Sequence, residues 1–408
     1  MIESHLQFRL PEPRHIHLGI SGSVAAFKIL EIVRRWQELD ASVSVCLTAA
    51  AREFITPLSC QALGATPVHL DQFDPAGLAA DTFAHLYPNR HAHAFVIAPA
   101  TADILARVAQ GRANDMLACQ ALAYPRPIMF APAMNPAMWA AAPTQANCAT
   151  LRQRGHILLD PESGEVACGQ QGQGKLTSLE IIHAHVWRLL CPQDLTGHTV
   201  LVTLGPTREP MDGVRFLSNP SSGRMGASMA MAAWLRGAKV TVVRGPCDVW
   251  LPEEIQQIRV TTASDMLTAC EDIWPSCDIA ILVAAVCDFA FSDPSATKLK
   301  KHTLGDHLDL CLESTPDILS ALVTSRTLRQ RVVGFAAETN DLVAYAREKL
   351  QRKQVDLLVA NQVGQPGSGF ESQTNTVHLL SRQGLDVAWP SLPKTTIAWN
   401  IWDILAHE

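Results

Sequence analysis

RFLSNPSSGRMG, residues 215–226, is the stretch on which the reading of this chain turns. An apolar run at 199–204 precedes it and a run of small residues follows, so a strand, a turn and a helix are expected in that order. Asn219, Ser221, Ser222 and Gly223 crowd polar donors and flexible backbone together just before the helix. A helix start carries unsatisfied N–H groups and positive dipole charge, which makes such a turn a natural anion cradle. The run 205–209, Gly-Pro-Thr-Arg-Glu, adds a second donor-rich turn after the same strand. Spacing alone leaves an ordinary N-capped helix equally open.

Working outward, short apolar strands alternate with helical stretches. Upstream, strands are expected at 16–20, 42–48, 95–98 and 127–132, with a helix carrying Ala25, Ile29, Ile32, Val33, Trp36 and Leu39 on one stripe and another helix at 178–190. Downstream come helix 224–236, strand 239–243, helix 263–273, strands 279–286 and 332–336, helix 341–353, strand 356–360, a late strand 375–381 and a last helix near 395–407. This alternation predicts an α/β fold of two tandem Rossmann-like doubly wound domains. Residues 1–14 read as a loose N-terminal arm, 15–190 as one domain, 191–198 as a linker and 199–408 as the second domain.

Composition narrows the function classes. The formal charge of −6 and the lack of a basic stripe argue against nucleic acid. No apolar run reaches membrane-spanning length, and the first residues, MIESHLQFRLPEPRH, lack a signal-peptide core. Eleven scattered cysteines without a CxxC pair suit a reduced, cytoplasmic protein. The pair His91 and His93 hints at a metal, but no second ligand group is evident; a solvated or structural role is the better reading, and metal ligands stay unassigned.

In the first half, the turn at 19–23 lacks GxGxxG spacing yet suits a phosphate at a helix start. The segments 98–101 and 131–135 end strands at the carboxyl edge, where open α/β sheets bind ligands. Residues 165–174 form a glycine-rich loop with Cys168, read as a mobile flap. Singly, each has a plain reading: Asn135 as a turn cap, Cys168 as an inert thiol, His85 as a surface residue. Together, GISGSVAAFK (19–28), LTAAAREFITPL (47–58), His85, APATAD (98–103), APAMNPAMW (131–139) and ACGQQGQGK (167–175) resemble the flavin-dependent cysteine decarboxylases, a family that includes phosphopantothenoylcysteine decarboxylase and the peptidyl-cysteine decarboxylases of lantibiotic synthesis. The resemblance implies FMN as cofactor, oxidising the thiol carbon to a thioaldehyde that takes up the charge left by CO₂. It implies His85 as active-site base or orienting group, Asn135 as binder of the substrate carboxylate and Cys168 as proton donor. FMN would be held by Gly19, Ser21, Gly22, Ser23, Thr48, Ala98, Pro99, Ala100 and Thr101. Departures from the family pattern fall at 86–93, Asp103 and Lys175.

The second half, with 201–226, AAVCDF (284–289), KLKK (298–301), STPDIL (314–319), VVGFAAET (332–339) and DLLVAN (356–361), is similar to phosphopantothenate–cysteine ligase. That resemblance implies CTP as activating nucleotide, an acyl-cytidylate intermediate and Mg²⁺. Asn219 would bind the intermediate, and Lys298 would act catalytically on the triphosphate. Asp288, Lys298, Gly334, Phe335, Ala336 and Lys349 would bind CTP. Arg224 stands where the family has a lysine. Fused in this order, the halves resemble the bacterial bifunctional coenzyme A biosynthesis proteins, which implies 4′-phosphopantothenate, L-cysteine and CTP as substrates. It also implies decarboxylase trimers, ligase dimers and, with both interfaces, a dodecamer. Two rival readings are a chain in which only the ligase half is active, and a flavin-binding regulatory subunit.

Overall fold

A computed structural model describes residues 2–72, 83–300, 308–338, 342–362 and 372–407. The chain forms two compact units: Arg9–Cys191, and Pro192–Glu408 together with Glu3–Phe8.

The first unit is built on six parallel strands: β1 (Arg14–Ile20), β2 (Ala41–Leu47), β3 (Val68–His69), β4 (Ala94–Ala100), β5 (Ile128–Pro132) and β6 (Ile157–Leu158). Their order is β3-β2-β1-β4-β5-β6. Ile16 and Leu18 of β1 register with Val43 and Val45 on one side and with Ala94 and Val96 on the other. Such continuous apolar runs mark a sheet covered on both faces. Two covering helices lean together: Trp36 of Ala26–Glu38 donates its indole N–H to His183 of Leu179–Leu190 at 3.3 Å, and both are fully buried. An antiparallel hairpin, β7 (Glu162–Glu165) and β8 (Gln171–Lys175), follows the sheet.

In the second unit, β9 (Thr199–Leu204), β10 (Arg208–Pro210), β11 (Phe216–Ser218), β12 (Lys239–Arg244), β13 (Gln256–Arg259), β14 (Ile279–Leu282), β15 (Phe289–Phe291), β16 (Leu312–Ser314), β17 (Arg331–Glu338), β18 (Leu357–Gln362), β19 (Thr374–Ser381) and β20 (Asp386–Pro393) occur in that order. The main sheet runs β13-β12-β9-β14-β17-β18-β19-β20. Its first six strands are parallel and repeat the winding order of the first unit; β19 and β20 are added antiparallel. In both sheets the order reverses beside the first strand, and open α/β sheets bind ligands at that switch point, beyond the strand carboxyl ends.

Three sequence expectations differ from the structure. Residues 1–14 are not a loose arm: Leu6 and Phe8 are buried in the second unit, the His5 ring donates to the Trp250 carbonyl at 2.7 Å, and Thr395 Oγ1 donates to the Gln7 carbonyl at 3.0 Å. Arg14 already belongs to β1. Residues 191–198 are packed, not free: Leu195 is buried and donates its N–H to Arg236 O, while buried Arg236 pairs with Asp194 and Asp403. The strand expected at 279–286 stops at Leu282, because the N–H groups of Val283 and Ala284 turn to Thr203 Oγ1 at 3.1 and 3.2 Å.

Candidate active sites

In the first unit the carboxyl ends of β1 and β4 are tied together by one side chain. Buried Ser21 donates its hydroxyl to Pro99 O at 2.7 Å and accepts the Thr101 N–H at 2.9 Å. Thr48, after β2, accepts the Ala51 N–H at 3.2 Å. Gly22 lies so close to Ala50 that a Cβ on it would meet the Ala50 Cβ at 2.4 Å. Small residues and hydroxyls thus converge on the helix Ala26–Glu38, a set suited to a phosphate group. Other residues expected to hold FMN lie within the ends of the strands themselves. Gly19 is inside β1, where a Cβ would strike Leu117 Cδ1 at 2.4 Å, and Ala98 and Ala100 are fully buried within β4, which runs on to Ala100.

Beyond β5 the hairpin docks on the turn that carries Asn135. Met134 donates its N–H to Gly174 O at 2.9 Å, which sets the loop between β7 and β8 over Asn135. Asn135 Nδ2 donates to Cys168 Sγ at 3.2 Å and to Gln170 Oε1 at 2.6 Å, and its Oδ1 accepts the Ala137 N–H at 2.8 Å. The Gln170 N–H, then the Asn135 amide, hold the exposed Cys168 thiol below its ordinary value. The expected flap is therefore a hairpin hydrogen-bonded to the residue it covers. His85 lies in the short turn Ala84–Leu86, half-buried, with its ring edge-on to Phe83. Among the described residues it makes no hydrogen bond to Asn135 or Cys168. Lys175 faces Glu162 at 3.7 Å and Asp103 pairs with Arg107 at 2.8 Å.

The second unit has a cavity of about 620 Å³ at its switch point, walled by the turns after β9 and β14. Asn219 lines it and donates its amide to Val286 O at 2.9 Å. Buried Thr207 braces this wall, accepting the Cys287 N–H at 2.9 Å on Oγ1 and the Ser218 hydroxyl at 2.7 Å on its carbonyl. The helix Arg224–Leu235 starts at Gly223 in the left-handed conformation (φ 74°), with no side-chain cap. The N-capped alternative is thus not realised, and the helix start opens on the cavity, which Gly223 and Arg224 line.

Asp288, Phe335, Ala336 and Lys349 line the same cavity as Asn219; Gly334 and Lys298 are not in its lining. Gly334 is tucked against Leu319 and Leu358, 3.2 to 3.4 Å from where a Cβ would sit. Lys298 is exposed on a segment held by buried Asp212, whose carboxylate accepts the Leu299 N–H at 3.1 Å. The rest of KLKK, from Lys301, lies outside the described residues. Sequence reading missed Asp317, Arg352, Lys353 and Lys394, which also line the cavity. Burial raises the Asp317 carboxyl, but its contacts with Lys353 and Ser320 outweigh that and hold it below the usual value. Lys394 is lowered to about 8, by burial first and then by Arg224. The signal available for Arg352 and Lys353 was the basic end of the helix Leu342–Lys353, which resembles any solvated helix terminus.

The two winding orders and the two constellations define an α/β protein of two ligand-binding units: one positions a thiol and an amide at a hydroxyl-lined sheet edge, the other rings a cavity with cations. The flavoprotein family matches residues 7–190, and the family of DNA/pantothenate metabolism flavoprotein C-terminal domains matches residues 195–407. Coenzyme A biosynthesis bifunctional protein CoaBC of Escherichia coli (strain K12) is 43% identical over 373 residues, 91% of each chain. That of Mycobacterium bovis is 38% identical over 408 residues, 96% of each chain. A crystal structure of the C-terminal domain of such a protein is 32% identical, covering 53% of this chain and 97% of its own, with a TM-score of 0.45. The chain belongs to the coenzyme A biosynthesis bifunctional proteins, with a flavoprotein decarboxylase unit followed by a ligase unit.

Proposed function

We propose that the second unit joins 4′-phosphopantothenate to L-cysteine with CTP, through an acyl-cytidylate. The first unit then decarboxylates the product, 4′-phosphopantothenoylcysteine, to 4′-phosphopantetheine. The observation that carries this reading is the pairing of Asn135 with Cys168 in a unit followed by the Asn219 cavity.

Ser21, Gly22, Ser23, Thr48 and Thr101 hold FMN in this reading, their hydroxyls and turn backbone meeting its phosphate. FMN supplies the two-electron oxidation and re-reduction at the thiol carbon. Asn135 binds the substrate carboxylate. Cys168, with its thiol held below the ordinary value, gives a proton to the reduced product more readily than an unperturbed thiol. His85 orients the substrate or moves its proton.

In the ligase unit, the Asn219 amide, fixed by Val286 O, meets the activated acyl group. Asp288, Phe335 and Ala336 take the cytidine side; Lys349 and Lys298 take phosphate charge. Among the described residues no cluster of three or more His, Cys, Asp or Glu side chains is placed to hold a metal. Mg²⁺ accordingly arrives with the nucleotide phosphates, as is common for this ion.

Subunit contacts fit the exposed apolar side chains: Phe27, Leu58 and Leu122 in the first unit, Val214, Phe216 and Phe289 in the second. Among the described residues no helix is long and apolar enough to cross a membrane, and we place the chain in the cytoplasm. A coupled assay with CTP, cysteine and phosphopantothenate tests the whole reading: Cys168→Ser halts flux after CO₂ release, and Asn219→Asp slows amide formation. Unchanged flux in both variants refutes the residue roles.

A further inference from the structure

His15 and His17 of β1 build a specific network, which His91 and His93, read from sequence as solvated or structural, border. A chain of hydrogen bonds runs from Ser42 through the first unit to the residue before His85. Its polarity follows from its inner end. The Ala84 carbonyl can only accept, so the group facing it at 2.9 Å is the Gln120 NH₂. Gln120 Oε1 then faces His17 Nε2 at 2.9 Å, so that nitrogen carries the proton. Burial drives His17 well below the usual histidine value, so the ring is neutral and its Nδ1 must accept, from the Ser44 hydroxyl at 2.8 Å. Ser44 Oγ in turn receives His15 Nε2–H at 2.8 Å, and His15 Nδ1 accepts from Ser42 at 2.8 Å. Ser44, His17 and Gln120 are fully buried. One tautomer of each ring satisfies every link.

We infer that Gln120, held by His17, is a positioning residue for the decarboxylase site: it pins the Ala84 carbonyl and thereby sets where the His85 side chain stands. The neighbourhood agrees. Gln120 sits on the helix Met116–Ala123, which packs against the turn Ala84–Leu86, and Ala84 itself is buried. Tyr87, one residue past that turn, packs its ring on His69 at 4.8 Å and His91 at 4.5 Å, while His93 Nδ1 accepts the His15 N–H at 2.9 Å. The departure from the family pattern at 86–93 and the histidines of β1 therefore form one packed group behind His85. Because no link in the chain is charged, the turn is held by direction alone, and loss of the Gln120 amide takes this partner from both the Ala84 carbonyl and the His17 Nε2–H.

This inference rests on the reading of His85 as the active-site group, and the experiment separates the two. Purified full-length enzyme is loaded with FMN and assayed for CO₂ release from phosphopantothenoylcysteine between pH 5.5 and 8.5. Gln120→Leu removes both links at nearly constant volume. It is expected to lower kcat about tenfold, with KM and the bound-flavin spectrum little changed, since misplacing a catalytic group penalises the reacting step. Hydrogen–deuterium exchange of the peptide spanning 83–91 is expected to rise in the same variant. Gln120→Glu supplies the rescue: a neutral carboxyl accepts from His17 and donates to Ala84, so activity returns toward acid pH and falls as the group ionises. Wild-type kcat, exchange and pH profile in Gln120→Leu overturn the inference. If that variant does not bind flavin, Gln120→Glu decides, and a wild-type profile across the range overturns it equally. Full activity in His85→Ala instead refutes the underlying role of His85, whatever Gln120 does.

Discussion

The Asn135 amide donates to the thiol sulfur of Cys168 across 3.2 Å, joining two residues that sit on different elements 33 positions apart. The amide stands at the start of the short helix Pro136–Ala140, with its oxygen engaged by the Ala137 N–H; the thiol stands between β7 and β8. Two proposed jobs are thereby coupled, since the group proposed to receive the substrate carboxylate also helps set the acidity of the proposed proton donor.

That coupling predicts how Cys168 reacts. The Gln170 N–H and the Asn135 amide both favour the thiolate. Carboxymethylation of Cys168 should reach half-maximal rate at lower pH than that of a free thiol such as N-acetylcysteine. Asn135→Ala removes one donor and should move the Cys168 midpoint upward. Peptide mass spectrometry of pulse-labelled protein reads both, and a Cys168 midpoint unmoved by Asn135→Ala would count against the coupling.

Asn219 carries the ligase test. Its Nδ2 donates to Val286 O, and an aspartate there would set a carboxylate against a carbonyl. A lost hydrogen bond with an unpaired group left behind costs roughly 1–3 kcal/mol, about a 5- to 160-fold change in rate. Asn219→Asp should therefore slow CTP-dependent pyrophosphate release at least about fivefold while CO₂ release from added phosphopantothenoylcysteine stays at the wild-type rate. Equal loss in both reactions would point to a folding defect instead.

Lys298 is placed through its neighbour. Asp212 accepts N–H groups from Val214 at 2.8 Å, Arg215 at 2.7 Å and Leu299 at 3.1 Å, so one buried carboxylate ties the turn before β11 to the segment bearing Lys298. Asp212→Ala should raise KM for CTP several-fold, and more than it raises KM for cysteine. Initial-rate kinetics with each substrate varied in turn would reveal the split; equal changes would detach Asp212 from the nucleotide.

Much of this arrangement was legible because parallel α/β sheets announce themselves. Buried strands such as Ala94–Ala100 are unbroken apolar runs, and helices such as Ala263–Ile273 carry a capping residue, Thr262, ahead of a periodic stripe. The two-stranded ribbons were not legible. In β10 with β11 and β15 with β16, strands of three residues are too short to show a period and depend on pairing partners far along the chain. At the sites, Asn135, Cys168 and Asn219 stood out through the ordered motifs that carry them, not by residue type alone. Asp317 and Lys394 did not, because their distinction is burial and mutual charge, which only the packed chain creates.

The N-terminal segment offers a stability test. Phe8 is buried, with its ring 6.1 Å from that of Trp399 on the last helix, and Leu6 is equally covered. Truncating a buried phenylalanine to alanine costs about 3 kcal/mol or more. Phe8→Ala should lower the temperature at which ligase activity is lost by several degrees, leaving the temperature of flavin release unchanged. A reversed pattern, flavin released early with the ligase intact, would assign these residues to the first unit.

Acid should weaken both units through their buried histidines. Burial first, with Arg224 and Arg244 adding to it, lowers His5 to about 4. Burial and the nearby His91, His93 and His69 lower His15 to about 4, and His17 lies well below its usual value. In the unfolded chain these rings titrate near 6.5, so above that pH neither state binds the extra protons and stability is untouched. Between pH 6.5 and 4 the unfolded chain takes up protons that the folded one refuses, and stability drains away, by at most about 3 kcal/mol for His5. Below pH 4 the loss levels off for His5 and His15. Melting temperatures taken every half unit from pH 8 to 4 should decline from about pH 6.5, and more gently in a variant with His17→Phe, whose ring cannot protonate. A decline of the same steepness in that variant would move the acid sensitivity onto the carboxylates.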